Sequence, residues 1–222
     1  MKVIYAAVAV VAAAAGFGIY RFAIEPRITP PAPAVAVPAD TAAAEKLPPV
    51  PTVLPDFSLQ DREGAKRSVR SWPEKSMIVN FWATWCAPCR REIPLLKDLQ
   101  KNRGGEGFQV VGVAVDFRDA VLAYANEIGI DYPLLIGEED GLDAVVSFGM
   151  GSIGFPFTVF TDKQQRIVAT HLGELKAPQA DVILSAVNQV NSGELTLESA
   201  RVVVAKQLAA LEPAEAEPAP GA

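Results

Sequence analysis

Histidine and cysteine are scarce in this 222-residue chain, which has one of the former and two of the latter. Structural zinc sites draw about four ligands from those residue types. Beyond Cys86 and Cys89 only His171 is left to contribute, so one chain cannot complete such a site and no metal is expected. An excess of basic residues is also lacking. Lys and Arg total 20 against 26 Asp and Glu, a net charge of −6 with an isoelectric point near 4.9. Nucleic-acid binding, which favours basic surfaces, has no footprint here. What the chain does have is apolar residues, 50% of the total, with 21% charged. That is enough for a sizeable core in one domain of ordinary size plus accessory segments.

Charge is absent again at the start. Between Lys2 and Arg21 the stretch "VIYAAVAVVAAAAGFGIY" carries none. As a helix it would reach about 27 Å, just enough to cross a thin bilayer. Residues 1–24 therefore read as a transmembrane anchor or as a cleaved signal segment, for which Ala13, Ala14 and Ala15 offer a small-residue cleavage site. Lys2 precedes the span while Arg21 and Arg27 follow it, so charge does not decide orientation; the long C-terminal part is expected outside the cytoplasm. Residues 25–55 turn to proline and alanine, the composition of a semi-rigid spacer.

Residues 56–191 form the expected folded domain. "DFSLQ" and "AKRSVRS" flank the turn-like "DREG" as a β-hairpin. "SMIVNFW" and "FQVVGVAVDF" are continuous apolar strands of the kind buried on both faces. Between them a helix opens at the cysteines and runs to about Asn102; "RDAVLAYANEIG" and "EEDGLDAVVSFG" are further helices around the short strand "YPLLIG". "FPFTVFTD" and "RIVATHLG" make an antiparallel pair about "KQQ", and a helix from about Pro178 to Asn191 follows. This order predicts an α/β fold, a mixed sheet with helices on both faces. In residues 192–222, "TLESARVVVAKQLAAL" is one more amphipathic helix with Leu197, Val204, Leu208 and Leu211 near one side. It either packs on the domain, the reading we favour, or holds a partner. The closing "EPAEAEPAPGA" has a disordered composition.

Both cysteines lie in "WATWCAPCRREIP". A disulfide stabilises chiefly by closing a long loop in the unfolded chain, and a separation of three closes almost none. The spacing suits reversible redox chemistry instead, because positions i and i+3 on a helical turn lie within disulfide reach. Cys86 falls at the helix N-terminus, where unpaired N–H groups and the helix dipole favour a thiolate, and is the expected attacking sulfur. Cys89, one turn in, is shielded and would resolve the mixed disulfide. Glu92 lies three residues further on, on the same helix face, either as an acid–base group or as an ordinary helical glutamate pairing with nearby arginines. Gly149, Gly151 and Gly154 spell G-x-G-x-x-G, but a dinucleotide loop follows a strand and opens a helix. Here a helix precedes it and a strand follows, so that reading is rejected. His171 has no partner that spacing identifies and reads as structural.

The stretch "VNFWATWCAPCRREIPLLKDL" resembles the active-site segment of thioredoxin-fold proteins, with Pro94 matching the proline that kinks their first helix. The hairpin "PDFSLQDREGAKRSV", the apolar N-terminal segment and the W-A-T-W-C-x-P-C-R-x-E string narrow the likeness to the membrane-anchored, extracytoplasmic TlpA/ResA-like thiol–disulfide reductases, over about residues 55–191. The resemblance implies a thioredoxin fold whose redox-active Cys86–Cys89 disulfide needs no other cofactor. It implies that Pro156 is cis and lies against the cysteines, with the Phe155 backbone offered to an extended client. Trp85, Ala87 and Pro88 would shape the contact surface, and Trp82 would pack beneath. Where ordinary thioredoxins keep a buried aspartate this chain has Asn80, and Glu92 matches the glutamate that ResA-like proteins use beside the buried thiol. The implied partners are extracytoplasmic clients with disulfides, such as cytochrome c haem-binding or copper-site cysteines, and a membrane electron donor. The implied location is a bacterial inner membrane, with the soluble domain in the periplasm. Three rival activities stay open: a net oxidant, a peroxidase of the peroxiredoxin kind, and a copper(I) chaperone using both thiolates.

Overall fold

The computed structural model describes residues 51–149 and 154–211. The expected anchor, most of the spacer, Gly151 and the acidic tail lie outside them. Among the described residues no helix is long and apolar enough to cross a membrane.

The centre of the fold is strand β3 (Ser76–Trp82), in which all seven residues are buried. Two more apolar runs lie parallel to it in sequence: β4 (Phe108–Val115) beside β3, and β5 (Leu134–Gly137) beside β4. The edges are antiparallel. β1 (Ser58–Gln60) pairs with β2 (Lys66–Ser68) and touches β5, while β6 (Phe157–Thr161) pairs with β3 and then with β7 (Ile167–Leu172). The sheet order is β2-β1-β5-β4-β3-β6-β7.

Period-two alternation divides the strands between two cores. One face carries Ile78, Trp82, Val110, Ala114, Leu134 and Phe160 and is covered by α1 (Ala87–Arg103), α2 (Arg118–Glu127), α4 (Ala177–Ser192) and α5 (Leu197–Leu211). The other carries Val79, Phe81, Val111, Val113 and Phe157 under α3 (Glu139–Val146). The mixed sheet with helices on both faces is thus present. Continuous apolar strands produce it because each must bury both sides.

One boundary differs from the compositional reading, and the packing favoured for the C-terminal helix is met. Residues 52–54 fall in the Pro/Ala-rich stretch, yet Val53 bridges Arg166, Leu54 N–H donates to Gln165 O (2.8 Å) and Leu54 is fully buried. A leucine with a core slot and a free strand edge to pair with overrides the surrounding prolines. At the other end, α5 rests on the core through Ala200 and Val204, with Leu197 and Leu208 partly buried, and Arg201 donates to Ile167 O (2.7 Å). Leu211 stays exposed.

Gly112 marks the tightest point of the site-bearing face. It pairs with Asn80 on β3 and Leu134 on β5, and a Cβ there would stand 2.7 Å from Leu134 Cδ2 and 3.1 Å from both Trp82 Nε1 and Tyr132 Cε2. Overpacking a filled core typically costs about 1–3 kcal/mol. Gly112→Ala is expected to lose about that much, read as a lowered urea midpoint with an unchanged slope; an unchanged midpoint would mean that this layer has slack.

Candidate active site

Parallel strands deliver their C-terminal ends to one edge of the sheet, and the cysteines sit there. After Trp82 the chain leaves β3, and Thr84 donates through both its N–H (2.9 Å) and its hydroxyl to the Asp116 carboxylate just past β4. That tie fixes the loop from which α1 starts. Cys86 is the N-cap of α1, with extended backbone (φ −83°, ψ 104°), and its Sγ accepts from Cys89 N–H (3.3 Å). Pro88 lies in the first turn, where its missing N–H costs nothing, and no acidic side chain occupies that turn. The two sulfurs are joined in a disulfide with Cα atoms 5.3 Å apart. Cys86 retains 5% exposure and Cys89 none, so only the first sulfur is reachable from outside. Ala87 is exposed and Pro88 half-buried beside them.

One turn below Cys89, Glu92 is buried at 1% exposure. Each carboxylate oxygen has one donor: Asn80 Nδ2 to Oε1 (2.6 Å) and Leu175 N–H to Oε2 (2.8 Å). Burial raises its pKa from an ordinary 4.5 to about 7. The two hydrogen bonds pull the other way and the nearby Glu174 charge adds to the rise. The arrangement differs from a surface helical glutamate pairing with arginines, since neither oxygen meets one. Asn80 also donates to Thr158 Oγ1 (3.0 Å), its register partner on β6. Its Oδ1, Trp82 Nε1 and the Tyr132 hydroxyl are buried with no partner among the described residues. Burial also holds the Tyr132 hydroxyl protonated well above its usual range.

Across from the helix start, the Phe155–Pro156 bond is cis and Pro156 is buried. The register Phe81↔Phe157 sets Pro156 beside the end of β3 that leads into the cysteines. The Phe155 ring stands 6.0 Å from Trp85 and 6.4 Å from Phe157. Trp85, at 69% exposure, is joined on this edge of the sheet by exposed Phe117 after β4 and Leu172 at the end of β7. Trp82 is fully buried beneath. His171 lies opposite Thr158 in register, with Nε2 3.4 Å from Glu174 O. Among the described residues no three His, Cys, Asp or Glu side chains converge as metal ligands would.

Sequence reasoning missed Thr158, the Leu175 N–H, Glu174, Phe117 and Leu172. Thr158 had a weak signal, as the polar residue inside the apolar "FPFTVF". The Leu175 donor is backbone and has no sequence signature.

A family model described as AhpC/TSA matches residues 50–179. The chain belongs to the AhpC/TSA family. It is similar to the thiol-disulfide oxidoreductase ResA of Bacillus thuringiensis (strain Al Hakam), 28% identical over 134 residues, 60% of this chain and 75% of the relative. It is also similar to the thioredoxin-like protein YneN of Bacillus subtilis (strain 168), 34% identical over 54% of this chain and 70% of the relative. Among solved structures, a secreted thiol-disulfide isomerase from Corynebacterium glutamicum aligns with a TM-score of 0.55 at 28% identity, covering 62% of this chain and 85% of that one. A thioredoxin family thiol:disulfide interchange protein from Chlorobium tepidum TLS aligns at 0.51 and 34%, covering 58% and 90%. The fold is thioredoxin-like, and the resemblance read from the cysteine motif holds as far as a thiol–disulfide oxidoreductase of the ResA type.

The raised Glu92 pKa has a stability consequence. Between about pH 4.5 and 7 this group is ionised in the unfolded chain and still protonated in the folded one, so its contribution to stability falls as pH rises through that window. In denaturant melts of the oxidised protein, Glu92→Gln is expected to gain on the native sequence by about 2–3 kcal/mol between pH 5 and pH 8. A pH-independent difference would show that Glu92 is not held protonated by burial.

Proposed function

We propose that this thiol–disulfide oxidoreductase works as a reductant of client protein disulfides outside the cytoplasm, and that the buried Glu92 serves Cys89 as acid and base. The observation that carries this reading is the pairing of a reachable sulfur on a helix N-terminus with a shielded one, above a buried carboxyl that titrates near neutrality.

The reduced protein begins with Cys86 as thiolate, favoured by the helix N-terminus and by the Cys89 N–H that points at its sulfur. The thiolate attacks one sulfur of a client disulfide; a Cys86–client bond forms, the client S–S bond breaks, and one client thiolate leaves. Cys89 then gives its thiol proton to the Glu92 carboxylate and attacks Cys86 Sγ. The Cys86–Cys89 bond forms, the second client thiolate departs, and both client sulfurs take up protons from Glu92 and solvent. Two electrons have moved to the client. A membrane dithiol donor returns the enzyme to its reduced form by the reverse exchange.

Client contact falls to the exposed apolar edge. Trp85 and Phe155 form its walls, Ala87 and Pro88 flank the sulfur, and the backbone at Phe155–Pro156 lies where an extended segment would run. Cytochrome c haem-binding cysteines or copper-site cysteines are the clients we propose. The extracytoplasmic site of action is supported by the uncharged apolar run ahead of Arg21 and by the resemblance to anchored reductases.

Three measurements on the full chain test this reading. Reduced Cys89→Ser, mixed with a peptide disulfide, is expected to accumulate a mixed disulfide visible by mass spectrometry, and Cys86→Ser none; the opposite pattern would reverse the roles. Resolution of the mixed disulfide is expected to slow as pH falls through about 7, and Glu92→Gln to flatten that dependence and slow the step by about 100-fold. The reduction potential of the couple is expected at or below about −250 mV, towards thioredoxin, whereas a value near about −120 mV would make the protein a donor of disulfides.

A further inference from the structure

The turn between β7 and α4, residues 173–176, has no regular secondary structure, yet it supplies one of the two donors that hold Glu92. It is tied down at three successive residues. Gly173 N–H, from a left-handed backbone (φ +87°), donates to Pro156 O (2.8 Å). The Glu174 carboxylate takes Arg91 on one oxygen, from Nε (2.7 Å) and Nη2 (2.6 Å), and Lys176 Nζ on the other (2.6 Å). Leu175 buries its side chain in the core and turns its N–H to Glu92 Oε2 (2.8 Å).

Arg91 and Glu92 are consecutive on α1, and Glu174 and Leu175 are consecutive on the turn. The result is a closed ring of two chain bonds and two polar contacts: Arg91 grips Glu174 on the outside while Leu175 reaches Glu92 on the inside. A turn without ladder hydrogen bonds of its own has few means to keep an amide aimed at a buried oxygen. A charged grip on Glu174 is one: Arg91 brings two nitrogens to one carboxylate oxygen and Lys176 takes the other, so both oxygens are held. Glu174 is only 16% exposed, and its bonds to Arg91 and Lys176 hold its carboxyl below the usual carboxylate range. It therefore stays charged throughout the working pH of the site.

We propose that Arg91 and Glu174 are positioning residues for Glu92: their ion pair holds the 173–176 turn so that the Leu175 amide meets the carboxylate, and thereby sets how readily Glu92 takes up a proton. This rests on the acid–base role assigned above to Glu92 only for its effect on turnover. The other groups around Glu92 are few. β3 and β6 present neutral Asn80 and Thr158; β7 carries His171 opposite Thr158. Tyr132, ahead of β5, presents a protonated hydroxyl; α1 brings the cysteine pair, and the turn itself brings Lys176 beside Glu174. Of these the turn alone brings a carboxylate.

The sign follows from electrostatics. Arg91→Met loosens the Leu175 hydrogen bond, which favours the Glu92 carboxylate, and leaves the Glu174 charge, which disfavours it, less compensated. Both effects raise the pH at which Glu92 titrates.

The test is a carboxyl ¹³C NMR titration of Glu92 in the full chain, its resonance assigned by its loss in Glu92→Gln. Arg91→Met is expected to move the midpoint upward by about half a unit or more, with Arg91→Lys, which keeps the charge but not the fork, falling between it and the native sequence. Identical midpoints in all three proteins would overturn the proposal. Arg91 is exposed on α1, and far-UV circular dichroism of the same samples checks that the fold is kept. The titration reads proton affinity whether or not Glu92 serves catalysis. Resolution rates across the same pH range separate the two ideas: if Glu92→Gln leaves those rates unchanged while Arg91→Met still shifts the titration, the positioning stands and the acid–base role fails.

Discussion

A carboxyl group buried in an apolar interior must either stay protonated or find donors, and Glu92 does some of each. Burial drives its proton affinity up, and one hydrogen bond on each oxygen draws it part of the way back, which leaves it titrating near neutrality. Much of the surrounding structure exists to make that compromise feasible. The central strand is apolar and buried along its whole length, yet it carries Asn80 at its middle, and the neighbouring strand answers with Thr158 in register. The Asn80 amide nitrogen meets both Thr158 and Glu92, so the polar groups of this layer partner one another.

The two faces of the sheet divide the work. On the side away from the cysteines, Phe81 and Phe157 stack at 4.3 Å, with Phe57 and Phe148 packed around them. This aromatic cluster locks β6 against β3, and so fixes where Pro156 and Phe155 stand relative to the start of α1. On the other side the core runs from Trp82 under Cys86 and Cys89 to the buried faces of α1 and α4. The reactive end of the molecule is thus held by strand ends and a helix cap rather than by a long loop. Asp116, just beyond β4, ties the approach to that cap through Thr84.

The turn at residues 173–176 is the exception, being irregular chain in contact with the buried acid. Its anchors fall on Pro156, Arg91 and Glu92. The cis-proline segment, the helix that carries the disulfide and the buried Glu92 are therefore linked within a few residues.

Much of this was legible in the chain, and the reasons are local. Continuous apolar runs marked β3 and β4, the helix after the cysteines ended within a residue of where spacing put it, and three-residue steps placed Cys86, Cys89 and Glu92 on successive positions of one helix face. Such features are written within a single strand or a few turns, where backbone geometry converts spacing directly into direction. Residues 52–54 misled for the same reason, since their composition speaks of a spacer while their partners lie more than a hundred residues away. Leu175 and Glu174 are each 83 residues from the side chains they hold, and one of those contacts is made by a backbone amide that any residue but proline would supply. By itself the sequence determined which sulfurs are paired, which one leads the helix and which acid follows. Tertiary structure alone decided how deeply that acid is buried and what grips it, because burial and long-range donors are properties of packing, and no local spacing encodes them.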